Sequence, residues 1–171
     1  MSQKNLQETI KEALTGRTVF VGIGNVDLGD DGSGVRLAEA LADSGLPDVL
    51  IAHTVPENHI TTLVRGGFEN VVLMDAVSTG SEPGSVVFLD ASEVKIRFPQ
   101  ISTHKLSLAT LAQLIESESP AHVWLLGIQP QTIKQGSGLS KPLETTLKFL
   151  KIILLDIFHQ KRSSELEGMV S

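Results

Sequence analysis

The chain has 171 residues, enough for one domain with a substantial core and no need of cross-links. Hydrophobic residues make up 41% and charged residues 20%, and a formal net charge of -6 argues against a nucleic-acid binder, which would show a basic face. The lack of cysteine excludes disulfides, thiolate zinc sites and a cysteine nucleophile.

The first ten residues carry no apolar signal region, and no apolar run approaches the roughly 20 residues that span a bilayer. A cytoplasmic protein without membrane insertion is expected. Leu6, Ile10 and Leu14 recur at helical spacing before Gly16, predicting an N-terminal helix within 1–16. Residues 18–23 are apolar on both faces, as in a central parallel strand. A Gly-rich, acid-bearing loop follows over 25–34, then an amphipathic helix over 33–43 with Val35, Leu37, Ala38 and Leu41 on its apolar side. Strand, loop and helix form the unit of an open α/β sheet, whose ligands lie beyond the carboxyl ends of its strands. The loop is therefore expected to be one wall of the functional site.

A second strand is predicted over 49–54, then an exit loop and a short helix over 59–65, with Asn58 as its cap and Gly66 and Gly67 as its stop. The third strand, 70–75, ends on Asp75, and the fourth, 85–90, follows after a turn. A parallel return needs a dozen or more connecting residues, so the fourth strand is predicted antiparallel, at the sheet edge. A loop over 98–105 leads to a helix over 107–116 and a fifth strand over 122–128. Ser140 is placed as a cap, with Pro142 in the first turn of a strongly apolar helix over 143–158. The polar tail 160–171 is expected to fray. Together these describe a single α/β domain over 1–171 with its core at about 18–158 and no repeat or linker.

Several motifs fail. Gly22 and Gly24 open like a dinucleotide fingerprint, but Asp27 occupies the third glycine position and no acid ends the second strand. A calcium loop from Asp27 fails at Gly29 and Ala38, and no nucleophile elbow surrounds Ser33 or Ser137. What remains is a constellation of Asp31 after strand one, Asp75 at the end of strand three and His104 in a loop. If strands one and three are parallel neighbours, both aspartates leave the sheet at the same edge. An O,O,N donor set suits nickel, zinc, manganese or iron and leaves open positions for chemistry.

Blander roles compete with each residue. One of Asp30 and Asp31 fits a cap or Asx turn better than a ligand, and spacing does not say which. Asn25 fits a turn-stabilising role, Glu57 and Asn58 could line the cleft, and Gln129 stands at a strand end near it. Trp124 fits the core, and His53, His59, His122 and His159 have no partner legible in the sequence.

The ordered set Gly22-x-Gly24-Asn25, Gly29-Asp-Asp-Gly32, Pro56-Glu-Asn58, Asp75-Ala76, Pro83-Gly84, Ser102-Thr-His104 and Leu126-Gly-Ile-Gln-Pro130 resembles the [NiFe]-hydrogenase maturation endopeptidases, in particular the branch serving formate-hydrogenlyase-type hydrogenases. The resemblance covers about 18–158. It implies a three-layer α/β sandwich with a twisted, mostly parallel five-stranded sheet between helices. It also implies an endopeptidase that cuts a C-terminal extension from a hydrogenase large-subunit precursor after nickel insertion. By motif, Asp31, Asp75 and His104 become the catalytic and metal-contacting residues, and Asp30 becomes an acidic neighbour outside the metal set. Nickel would arrive with the precursor, the principal partner, and another divalent metal could occupy the isolated protein. A monomer is the default expectation. Two alternatives stay open on the residues alone: a non-catalytic α/β module binding a small ligand, and a zinc metallopeptidase with another protein substrate.

Overall fold

A computed structural model describes residues 5–98 and 106–171. Five strands, β1 (Thr18–Ile23), β2 (Val49–His53), β3 (Asn70–Ala76), β4 (Val86–Asp90) and β5 (His122–Ile128), form one sheet in the order β2-β1-β3-β5-β4. β1 lies parallel to both β2 and β3, and β3 is parallel to β5. β4 pairs antiparallel with β5 at the edge, as the short connection from β3 requires.

Successive side chains of a strand point to opposite faces, and this alternation builds the layers. Val19, Val21, Ile23, Val71, Leu73, Val123 and Leu125 go to one side, beneath α3 (Ile60–Arg65), α4 (Ala91–Arg97) and α5 (Leu108–Glu118). Phe20, Val72, Met74, Leu126 and Ile128 go to the other, beneath α1 (Leu6–Ala13), α2 (Ser33–Asp43) and α6 (Lys141–Val170). The result is a three-layer α/β sandwich. Leu37 and Leu41 of α2 are wholly buried, each contributing about 1.5–3 kcal/mol over an exposed position. Trp124 is half-buried against this core, stacked on Phe88 at 5.1 Å with its indole N–H donated to Asn70 Oδ1 at 3.0 Å.

Three local expectations are corrected. Asn58 does not cap α3. Pro56 starts a tight helical turn over Pro56–His59, whose own bonds take the first amides, and His59 holds the cap position without a side-chain bond. α4 was not expected, and a reciprocal capping box between Asp90 and Glu93 starts it directly from the end of β4. α6 is helical through Val170, well past Phe158. Its last buried contact is Ile157, and beyond that it continues through good helix formers, with Lys161 and Glu165 attracting across one turn. Among the described residues no helix is long and apolar enough to cross a membrane.

Candidate active site

The carboxyl ends of β1 and β3 lie side by side, and the loop after β1 folds back over them. Gly24 has φ +132° and donates its N–H to His53 O at 2.8 Å, joining the exit of β1 to that of β2. A Cβ on Gly24 would run into the Asp31 carbonyl oxygen, so only glycine lets the loop close on itself here. Asn25 Oδ1 accepts the Asp27 N–H at 2.9 Å, the Asx turn expected of it. One tight turn, Gly29–Gly32, then leads into α2 at Ser33. Gly34 allows the first turn of α2 to press on the Met74 carbonyl, which a Cβ would strike, and this brings the turn bearing Asp31 against the end of β3.

The two adjacent acids of this turn do different work. Asp30 is fully buried. Its carboxylate accepts the Ser140 N–H at 2.7 Å, the Ser140 hydroxyl at 2.7 Å, the Gln131 N–H at 2.8 Å and the Thr132 N–H at 3.1 Å. Burial by itself pushes this carboxyl up, but the four hydrogen bonds outweigh it and hold Asp30 below its ordinary range. Ser140 therefore occupies the cap position of α6 but turns its hydroxyl to Asp30. Asp31 is only partly buried, and its Oδ2 accepts the Asn25 N–H at 2.8 Å. Asp75 is 4% exposed at the end of β3, with its Oδ1 accepting the Ala76 N–H at 2.8 Å. Spacing could not separate Asp30 from Asp31; the hydrogen bonds give Asp30 the structural role.

Gln129 lies on this edge, but its side chain is occupied: Oε1 accepts the Thr79 N–H at 2.6 Å and its hydroxyl at 3.0 Å, and Nε2 donates to Pro130 O at 3.1 Å. It secures the loop between β3 and β4. Among the described residues two buried polar atoms have no partner, Ser33 Oγ at the start of α2 and Glu57 Oε2 after β2. The sequence singled out Glu57 for the cleft, whereas nothing in the pattern marked Ser33 as buried. His104, the third member of the expected set, lies outside the described residues. Among the described residues no three His, Asp or Glu side chains gather closely enough to hold a metal.

A family model described as hydrogenase maturation protease (HycI) matches residues 35–157. The chain belongs to the hydrogenase maturation protease family. The matched span contains Asp75 and position 104 and begins just after the turn that carries Asp31. The hydrogenase 3 maturation protease of Escherichia coli K12 is 29% identical over 132 residues, covering 76% of this chain and 83% of the relative. The crystal structure of the [NiFe] hydrogenase maturation protease HycI from Thermococcus kodakarensis superposes with a TM-score of 0.78 at 28% identity, covering 87% of this chain and 97% of that one. The hydrogenase maturating endopeptidase HybD of Escherichia coli gives 0.69 at 25% identity, covering 86% and 93%. As a hydrogenase maturation protease the chain is a peptidase, and with no cysteine its hydrolysis needs another nucleophile.

Proposed function

We propose that this protein is the endopeptidase that removes the C-terminal extension of a [NiFe]-hydrogenase large-subunit precursor once nickel is in place, acting in the cytoplasm as a monomer. Asp31, Asp75 and His104 are its metal-contacting and catalytic residues in this reading. The single observation that supports it is that the turn bearing Asp31 folds back against the end of β3, where Asp75 stands, while the neighbouring Asp30 is engaged by four hydrogen bonds of its own. Family membership supplies the reaction class.

The donor set suits nickel carried in by the client. Each aspartate has one oxygen oriented by a backbone N–H, the kind of outer support that aims a carboxylate at a cation. Two carboxylates and an imidazole bind such an ion weakly without softer donors, so the client's own ligands would supply the rest and the site would report whether the ion is present. Peptide cleavage then consumes one water. Its oxygen bonds to the scissile carbonyl carbon, one aspartate accepts a proton, and the C–N bond breaks as a proton reaches the departing amine.

The test is processing of purified precursor with and without nickel. The loaded precursor is cut and the nickel-free precursor stays intact; equal cleavage of both overturns the metal-reading role. Stoichiometric zinc in the protein as isolated would instead mark a metallopeptidase with its own ion.

A further inference from the structure

We propose that Asp30 is the positioning residue of this site: by pinning the loop after β1 to the loop after β5, it sets where the neighbouring Asp31 carboxylate stands. The inference rests on the role given to Asp31 above. The four groups that Asp30 accepts from lie 101 to 110 residues further along the chain, all between β5 and α6. Its own N–H donates back to Thr132 O at 2.9 Å, so main chain and side chain grip the same segment.

Two more contacts extend the clamp. Gly136 donates its N–H to Asp27 O at 2.8 Å. A Cβ on Gly29 would strike the Ser137 hydroxyl and approach Thr132 O at 2.9 Å, so the two loops touch with no room to spare. Asp31 follows directly. Its N–H is held by Leu28 O at 3.1 Å and its Oδ2 by the Asn25 N–H at 2.8 Å. With the backbone fixed on both sides, little freedom remains for that carboxylate beyond its own side-chain torsions, and the Asn25 N–H selects among those.

The loop after β5 is also bound to the segment that follows Asp75. Gln129 holds Thr79 by its side chain and accepts the Gly84 N–H on its carbonyl at 2.9 Å. One loop thus serves as a common frame, to which Asp30 fastens the Asp31 turn and Gln129 fastens the chain beyond β3. A charged acceptor suits the task. Bonds to a carboxylate are shorter and roughly twice as strong as neutral ones, and a buried carboxylate tolerates few arrangements that leave it unsatisfied.

The test uses the full chain and follows the Asn25 amide proton by NMR alongside steady-state processing of nickel-loaded precursor. Asp30→Asn replaces one acceptor oxygen by a donor. It is expected to move the Asn25 amide proton upfield and to lower kcat by about 10–100-fold. KM should stay within about two-fold. Asp90→Ala, which removes only the cap of α4, serves as the stability control. Ser140→Ala deletes one of the four bonds and should produce a smaller effect of the same sign, which keeps the idea testable if Asp30→Asn does not fold. An unmoved Asn25 resonance in Ser140→Ala and Asp30→Asn, with activity falling only as the melting temperature does in Asp90→Ala, overturns the proposal. Full processing by Asp31→Asn would overturn the reading of the site instead, and the Asn25 resonance would still decide whether Asp30 positions Asp31.

Discussion

An ion pair at one end of the sheet and two adjacent aspartates at the other handle charge in opposite ways. At the amino ends of the strands, Arg17 forks onto the Asp48 carboxylate at 3.1 and 3.0 Å, donates to Gly66 O at 2.7 Å and sits 4.6 Å over the Phe68 ring. The bond to Asp48 and its charge raise the Arg17 pKa further. Asn70 bridges Thr15 O at 2.6 Å and the Trp124 indole at 3.0 Å. Beside them a cavity of about 540 Å³ is walled by Leu14, Phe20, Leu46, Leu154, Ile157 and Phe158. The Arg17 and Asp48 charges cancel there as a pair, while Glu69 beside them accepts the Arg17 N–H at 2.7 Å. At the carboxyl ends, Asp30 and Asp31 are satisfied mainly by backbone N–H groups, which orient a carboxylate without removing its charge. A proposed site that receives a cation needs the second arrangement and would be spoiled by the first.

Substitutions at the two ends should therefore separate function from stability. The largest effect is expected from Asp75→Asn and His104→Ala, each lowering precursor processing by at least about 100-fold while far-UV circular dichroism and cooperative melting persist. Full activity in either would break the comparison by moving the chemistry elsewhere. Asn70→Ala is the counterpart at the amino end. It takes away the partner of the Thr15 carbonyl and of the half-buried Trp124 indole N–H, at a cost of about 2 kcal/mol. In a chain of this size that lowers Tm by about 4–8 °C. Its kcat, measured well below melting, should stay within about two-fold of the parent. A selective loss of kcat would show that the two ends are coupled through β3.

Much of this arrangement is legible from local pattern. β1, α2 and β5 fall where apolar runs and periodicity put them, and the antiparallel β4 follows from a connection too short for a crossover. α4 escaped because a seven-residue helix with two buried positions has no periodicity to detect, although its Asp-x-x-Glu capping box stood in the sequence. The end of α6 escaped because burial stops at Ile157 while helix propensity continues. The division of labour between Asp30 and Asp31 was beyond any local rule. Two identical side chains stand next to each other, and only the loop from Gln131 to Ser140, distant in sequence, decides which of them is buried. Resemblance puts Asp30 outside the metal set, and the hydrogen bonds show what its carboxylate holds instead.

The smallest effect tests the same distinction between amide-held charge and cancelled charge, on the helix that leads toward position 104. Asp90 Oδ1 accepts the Glu93 N–H at 2.9 Å and the Ser92 hydroxyl at 2.7 Å, and Glu93 Oε2 accepts the Asp90 N–H at 3.0 Å. The Glu93 N–H first, then the Ser92 hydroxyl, hold the Asp90 carboxyl below its usual range against a smaller push from burial. Because the folded-state value is depressed, the associated stability is present above the unfolded value of about 3.9 and is lost as pH falls through the folded one. Asp90→Asn keeps an equally good capping oxygen but does not titrate, and it leaves Glu93 in place. Urea unfolding from pH 7 to pH 2.5 should show the parent more stable by less than about 1 kcal/mol above about pH 5, with the gap closing below about pH 4. A gap that stays constant with pH would mean that α4 is capped by geometry alone, and that the charge of an amide-held carboxylate adds nothing there.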